Sequence, residues 1–172
     1  MTFAPDRLLA TLGRHGVDFV VIGGLAATIH GSTMATFDVD VTPRATRDNL
    51  ARLSAALTEL GARIRNDEGG PGLRFNHDAA SLADAQVWNL TTDAGDLDLS
   101  FVPTGTRGFD DLVRDAVPVD IAGVTLLVAS LADVIRSKEA AGREKDRVAL
   151  PLLRRLLDEI ARPRVGGDQT ER

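Results

Sequence analysis

The sequence contains no cysteine, very little lysine and no long apolar run. Without a thiol in its 172 residues, the chain has no disulfide bond and no thiolate metal site. The absence of a run of about 18 apolar residues argues against a membrane span. The N-terminus lacks the charged-then-apolar layout of a signal peptide. We therefore expect a cytoplasmic protein.

The chain also has no excess of positive charge, since 25 acidic residues outnumber 20 basic ones and the formal net charge is −5. This balance excludes a protein that coats nucleic acid electrostatically, so any nucleic-acid contact needs a local basic patch. Of the 20 basic residues, only Lys138 and Lys145 are lysine, and both lie in one segment. Lysine reaches phosphate oxygens as a compact point charge. We therefore predict that this segment needs the chemistry of lysine. The alternative is that the two lysines lie by chance on a solvated helix face.

The chain length suits one domain, with a small helical appendage. The pattern predicts helices at 5–13 and 47–60, and β-hairpins at 86–102 and 116–128. We expect Thr46 to cap the second helix. The last third is helical in pattern, with one helix at 130–142 and a second, starting near Arg143, that contains Pro151.

Residues 17–31 begin the most informative stretch. The apolar, β-branched run at 17–22 predicts a buried strand. Gly23 and Gly24 end this run and allow backbone geometry that a side chain would obstruct. A short helix at about 24–31 follows. The segment thus reads as strand, glycine turn and helix.

An alternating strand at 37–42 completes the stretch. Alternation places Phe37, Val39 and Val41 on one face and Asp38 and Asp40 on the other. Two carboxylates on one strand face repel each other, and a divalent cation between them relieves the repulsion. Magnesium is the usual ion where phosphates are near.

Asp-x-Asp alone is a weak signal. The chain has 19 aspartates, so roughly two such pairs are expected by chance. The second pair, Asp96 and Asp98, lies in the hairpin at 86–102. Context supplies the specificity, since a strand, two glycines, a helix and an apolar-flanked Asp-x-Asp strand follow one another directly. The alternative is a βαβ fragment whose aspartates merely face solvent.

This order resembles the polymerase-β-like nucleotidyltransferase superfamily, whose pattern is Gly-Gly or Gly-Ser, nine to thirteen residues, then hydrophobic-Asp-hydrophobic-Asp-hydrophobic. Here 13 residues separate Gly24 from Asp38. The resemblance implies an α+β fold with an α/β-type palm, in which helices flank a mixed β-sheet. It also implies a palm domain at 1–128 and a helical segment, packed on the palm, at 129–172.

The resemblance further implies a metal-dependent nucleotidyltransferase that uses Mg²⁺ or Mn²⁺. Asp38 and Asp40 would hold the metal ions, with Asp98 as the third carboxylate and Asp96 as the fallback. Such a carboxylate also helps to deprotonate the attacking hydroxyl in that family. Backbone N–H groups at Gly23 and Gly24 would approach the triphosphate of an NTP substrate. Lys138 would neutralise phosphate charge.

A second resemblance comes from the segment Lys138-Glu-Ala-Ala-Gly-Arg-Glu-Lys-Asp146. With the glycine and aspartate motifs, it is similar to the AbiEii-like and MenT-like toxins of bacterial toxin–antitoxin and phage-defence systems. This implies an RNA acceptor, above all a tRNA 3′ end, and a cognate antitoxin partner. It also adds Asp146 to the catalytic residues, where Asp146 would position the nucleotide or Lys138. A helix N-cap is the alternative role for Asp146.

The sequence departs from those toxins at Met34, where they commonly carry arginine. We expect Arg44 or Arg47 to substitute. The basic patch for RNA would come from arginines of the final helices, namely Arg143, Arg147, Arg154, Arg155, Arg162 and Arg164. A solvated helix face is the alternative for these residues.

The two lysines should differ in orientation. On a continuous helix, Lys138, Gly142 and Asp146 share one side, because they lie four and eight residues apart. We therefore predict that Lys138 points into the cleft with Asp38 and Asp40, and that Lys145 points elsewhere.

Two other functions fit the same motifs. One is nucleotidyl transfer to an aminoglycoside- or lincosamide-type antibiotic, for which an acidic chain could furnish a pocket. The other is a protein-modifying palm, or an inactive antitoxin-like palm that only binds, against which the intact Asp38, Asp40 and Asp98 argue.

Overall fold

A computed structural model describes residues 3–66 and 70–162. Seven strands form one sheet within these residues. In chain order the strands are β1 (Phe19–Ile22), β2 (Asp38–Pro43), β3 (Arg63–Ile64), β4 (Val87–Thr92), β5 (Gly95–Ser100), β6 (Val117–Ile121) and β7 (Val124–Val128). The helices are α1 (Pro5–Arg14), α2 (Gly23–Ile29), α3 (Arg47–Glu59), α4 (Ala79–Ala83), α5 (Phe109–Leu112), α6 (Leu131–Ala141) and α7 (Glu144–Ala161).

The sheet is mixed, in the order β3-β4-β5-β2-β1-β7-β6. Strand β1 pairs antiparallel with β2 and parallel with β7, and β2 pairs parallel with β5. The two predicted hairpins are confirmed as the antiparallel pairs β4–β5 and β6–β7. The predicted α+β architecture, a mixed sheet flanked by helices, is therefore present.

The core lies between one face of the sheet and its helices. Leu50, Leu53 and Leu57 of α3 are almost fully buried, as their helical spacing predicts. Each such leucine contributes about 1.5–3 kcal/mol through burial. Thr46 occupies the N-cap position of α3, but its side chain makes no capping hydrogen bond, so the predicted cap is absent.

The predicted alternation of β2 holds only from Asp38 onward. Val39 and Val41 are buried as expected, whereas Phe37 is 76% exposed. The prediction was wrong for Phe37 because the strand begins at Asp38, so the preceding residue belongs to a loop and escapes the two-residue period.

The C-terminal helices α6 and α7 pack against each other. Ser130 caps α6 by accepting a hydrogen bond from the Asp133 N–H (3.1 Å). Gly142 ends α6 in the left-handed conformation (φ 61°), so α6 and α7 are two helices that turn at this residue. Pro151 lies inside α7, beyond its first turn.

The division into domains at 1–128 and 129–172 stays a prediction, and residues 163–172 lie outside the described part of the chain. None of the helices within residues 3–66 and 70–162 combines the length and apolar character that a bilayer crossing requires.

Candidate active site

Three carboxylates meet on the exposed face of β2 and β5. The parallel register places Asp40 beside Asp98 and Asp38 beside Asp96. Ligand oxygens of Asp38, Asp40 and Asp98 lie within 4.8 Å of one another. Oxygens on opposite sides of one Mg²⁺ are about 4.2 Å apart, so small side-chain rotations bring these atoms to coordination distance. Asp98, the first choice for the third carboxylate, joins the cluster, and Asp96 does not.

Asp40 is the most strongly perturbed carboxylate of the cluster. Burial, with the nearby charges of Asp38 and Asp98, raises its pKa to about 6, against the opposing influence of Lys145 and Lys138. No described residue donates a hydrogen bond to its carboxylate. A half-buried acid that has acidic neighbours and no hydrogen-bond donors is suited to a divalent cation, which supplies the missing positive charge.

Arg65 holds the third carboxylate. Its Nη2 atom donates a hydrogen bond to Asp98 Oδ2 (3.1 Å), and its Nη1 atom lies 3.4 Å from Asp96. The same Nη2 atom also lies 2.9 Å from Asp98 Oδ1, so Arg65 forms an ion pair with both carboxylate oxygens of Asp98. Burial raises the pKa of Asp98, although Arg65 opposes this shift. No role for Arg65 was predicted, because its place depends on pairing between the distant β3 and β4 segments.

The two glycines leave room for side chains of the site. A Cβ on Gly23 would lie 2.1 Å from Asp40 Oδ2, and the φ of +70° at Gly23 also favours glycine. A Cβ on Gly24 would lie 2.7 Å from Thr36 Oγ1. Thr36 in turn donates a hydrogen bond to Asp38 Oδ1 (3.0 Å) and orients that carboxylate. The predicted approach of Gly23 and Gly24 to a triphosphate stays a prediction.

The carboxylates line a cleft of about 660 Å³ whose opposite wall comes from α6 and α7. Three cations line this cleft, and two of them are bound to Asp146. Lys138 Nζ lies 3.0 Å from Asp146 Oδ1, and Arg143 Nε lies 2.7 Å from Asp146 Oδ2. Although Asp146 is fully buried, hydrogen bonds from Arg143 and Lys138 outweigh burial and lower its pKa. Asp146 is therefore an ion-pair anchor in the first turn of α7, whose N-cap position is Arg143.

Lys145 also lines the cleft, so the prediction that it points elsewhere was wrong. The prediction assumed one continuous helix from Lys138 to Asp146. Because the chain turns at Gly142, the first turn of α7 presents Lys145 to the carboxylates. Lys145 opposes the rise in the pKa of Asp40 more strongly than Lys138 does. Lys145 has no ion-pair partner in the described residues, whereas Lys138 is neutralised by Asp146.

These placements predict different effects for the two lysines. Lys145→Ala should raise the KM for an NTP roughly 10- to 100-fold, the effect of one charge-assisted hydrogen bond. Its Tm should change little, because the side chain is exposed. Lys138→Ala should lower Tm, since it removes a partner of the buried Asp146. Steady-state kinetics and thermal melts separate these effects. Arg7→Ala, which removes an exposed cation of α1 outside the cleft, is the control. An unchanged KM in Lys145→Ala contradicts the assignment.

The expected substitutes for Met34 do not reach the cleft. Arg44 lies 4.5 Å from the centroid of the Phe109 ring and 4.0 Å from Asp110. Neither Arg44 nor Arg47 lines the cleft, because both follow the end of β2 that lies away from Asp38. Cleft-lining positive charge comes from α6, α7 and the turn between them.

The predicted arginine patch is partly occupied by ion pairs. Arg143 is bound to Asp146, and Arg154 to Glu139 (2.6 Å). Within this predicted patch, the exposed arginines that have no ion-pair partner in the described residues are Arg147, Arg155 and Arg162. Arg164 lies outside the described residues.

The sheet order and the parallel β2–β5 pair define the class of fold, that of a nucleotidyltransferase palm. The chain is similar to a Thermotoga maritima structure described as a candidate nucleotidyltransferase, with a TM-score of 0.52 and 17% identity. The similarity covers 92% of this chain and 96% of that chain. It shows the fold, and the AbiEii-like and MenT-like branch stays a prediction.

Two further similar structures are the antibiotic-resistance factor ANT(2'')-Ia and JHP933 from Helicobacter pylori. The first is 14% identical with a TM-score of 0.46, over 90% of this chain and 91% of that chain. The second is 14% identical with a TM-score of 0.47, over 90% of this chain and 66% of that chain. No protein-family model and no curated protein matches the sequence.

Proposed function

We propose that the protein is a metal-dependent nucleotidyltransferase, which transfers a nucleoside monophosphate from an NTP to an acceptor hydroxyl and releases pyrophosphate. The observation that carries this proposal is the cluster of Asp38, Asp40 and Asp98 in one cleft, with oxygens within 4.8 Å. Lys145 in the same cleft adds a cation without an ion-pair partner in the described residues. The palm fold is the scaffold on which such a site is expected.

Each residue then has a definite task. Asp38 and Asp40 would hold Mg²⁺ or Mn²⁺, and bound ions would neutralise phosphate charge and align the attacking and leaving oxygens. Asp98 would bind beside the acceptor and take part in removing its hydroxyl proton. Thr36 and Arg65 hold Asp38 and Asp98 in place. Lys145 would bind phosphate oxygens of the NTP, while Lys138 and Asp146 fix the helices that present it.

We further propose that the acceptor is RNA, with a tRNA 3′ end as the first candidate, and that the protein acts as the toxin of a toxin–antitoxin or phage-defence system. The resemblance of the sequence motifs supports this proposal. The exposed Arg147, Arg155 and Arg162 of the C-terminal helical segment supply positive charge for an RNA backbone. A cognate antitoxin protein would be the partner of such a toxin.

Metal binding and transfer can be tested together. Mg²⁺ or Mn²⁺ should raise Tm, because a ligand that binds only the folded state stabilises it. Incubation with Mg²⁺, each labelled NTP in turn and total tRNA should then yield 3′-extended RNA. The proposal is overturned if the metal ions do not raise Tm and if none of the four nucleotides yields a labelled product.

The acceptor is decided by the same assay with two competing substrates. Total tRNA and an aminoglycoside are offered together with the labelled NTP. Label in RNA supports the proposed acceptor. Label in the aminoglycoside instead supports the antibiotic-modifying alternative and contradicts the toxin role.

A further inference from the structure

An exposed aromatic ring stands in the wall of the cleft. Phe37 is 76% exposed, although it lines the cleft next to Asp38. The chain has six phenylalanines, one tryptophan and no tyrosine. In the described part of the chain every other aromatic residue is buried or half-buried. A single exposed apolar residue is ordinary on a protein surface. A functional role for Phe37 therefore has to be argued from the residues that surround it.

The loop before Phe37 runs along α7. At its start, a Cβ on Gly31 would lie 3.6 Å from Leu156 of α7. Farther along, Met34 lines the cleft together with Ala149 and Leu153 of the same helix. This end of the cleft therefore has apolar walls on both sides, from the loop and from α7.

The apolar residues of α7 lie on the same side of that helix as Lys145, the cation proposed to bind phosphate. Lys145, Ala149 and Leu153 follow one another at a spacing of four residues, which places them on one face of α7. Phe37 lines the same cleft beside Asp38, so a ligand held at Lys145 and the carboxylates has both an apolar face of α7 and an exposed aromatic ring within the cleft. The part of the cleft along β4 and β5 instead offers polar groups, such as Asn89 and Ser100.

We propose that Phe37 is a stacking platform for a nucleobase, in a slot bounded by Met34, Ala149 and Leu153. The base belongs either to the NTP or to the terminal nucleotide of the acceptor. Stacking on an aromatic face tolerates every base. This stack therefore adds affinity without strong selection among nucleotides. The identity of the ligand rests on the proposed function. The stacking contact can be measured by ligand binding alone, without turnover.

Binding experiments test the stack directly. Phe37→Ala should weaken binding of a non-hydrolysable NTP analogue with Mg²⁺ about tenfold, the loss of one base–aromatic stack. Binding of inorganic triphosphate with Mg²⁺ should not change, because that ligand has no base. Phe37→Trp should keep the affinity, and its added fluorescence should be quenched on binding of the analogue. Val148→Ala is the matched control, since Val148 is 65% exposed and lies on α7 outside the cleft.

The outcomes separate the two sources of the base. If Phe37→Ala leaves the analogue unaffected but raises the KM for RNA, the stacked base belongs to the acceptor. If neither quantity changes, the stack is overturned while the proposed function stands. If the analogue binds and depends on Phe37 but no transfer occurs, the proposed function fails and the stack is supported. If the wild-type protein binds neither ligand, both are overturned.

Discussion

Asp40→Asn should abolish nucleotidyl transfer and, at the same time, stabilise the metal-free protein. Mutation of a residue that only supports a metal ligand lowers activity by up to about 100-fold, so loss of a ligand itself should lower activity by more than that. The rise in Tm with Mg²⁺ should also disappear. Both losses follow from the position of Asp40 between Asp38 and Asp98.

The stabilisation follows from the raised pKa. Asp40 has a pKa of about 6 in the folded protein, against 3.8 as the ordinary value. Between these values the folded state binds more protons than the unfolded state, so the free energy of unfolding falls as pH rises from about 4 to 6. At pH 7.5 the charged Asp40 therefore costs up to about 3 kcal/mol in metal-free protein. Asp40→Asn removes this cost, and its Tm without metal should lie above that of the wild type.

Asp96→Asn is the matched control, because Asp96 lies on the neighbouring strand but outside the three-carboxylate cluster. It should retain the Mg²⁺-dependent rise in Tm and most of the activity. Thermal melts from pH 4 to 8, with EDTA and with Mg²⁺, measure both variants. A lower Tm for metal-free Asp40→Asn at pH 7.5 would contradict the electrostatic account of the site.

The parts of the site that are local in sequence could be predicted from it. The strand, the two glycines and Asp38 and Asp40 follow each other along the chain, so their types and spacing carry the information. Asp98 was predicted only with a fallback, because the choice between it and Asp96 depends on the parallel register of two distant strands. Apolar flanks were the available signal for Asp98.

Other features depend on contacts that periodicity does not describe. Arg65 reaches Asp98 because β3 adds to the edge of the β4–β5 hairpin. Lys145 reaches the cleft because Gly142 adopts a left-handed conformation that breaks the helix. Glycine within a helical pattern often marks a C-terminus. The sequence pattern did predict a helix end near residue 142, but the prediction for the two lysines treated the segment as one continuous helix. Phe37 is exposed because the strand starts one residue later than its pattern suggests.

Asp146→Asn should produce a large loss of stability. Asp146 is fully buried and pairs with both Lys138 and Arg143. An amide in its place leaves the largely buried Lys138 charge without a counter-ion. Removal of one partner of a buried ion pair costs about 3–5 kcal/mol in the free energy of unfolding. We expect a loss near the lower value, because Arg143 is exposed and water can solvate its charge. Tm should fall by roughly 6–12 °C for a chain of this length.

The pH dependence of this loss distinguishes an ion pair from ordinary packing. The pKa of Asp146 is lowered in the folded state from 3.8. Its contribution to the free energy of unfolding is therefore present above about pH 4 and is lost as pH falls through the lowered pKa of the folded state. The difference in Tm between wild type and Asp146→Asn should stay constant from pH 8 to 5 and shrink below about pH 4. Asp158→Asn, an exposed acid of the same helix without an ion pair in the described residues, should change Tm little at any pH.

A double-mutant cycle identifies the partner that carries the effect. In an Asp146→Leu background, Lys138→Met should recover part of the lost stability, because it removes the charge left buried without a partner. The same Lys138→Met change in the wild-type background should destabilise, because it leaves Asp146 with Arg143 alone. If Lys138→Met destabilises equally in both backgrounds, the two side chains are not coupled. The α6–α7 junction that presents Lys145 to the cleft would then depend on packing rather than on this ion pair.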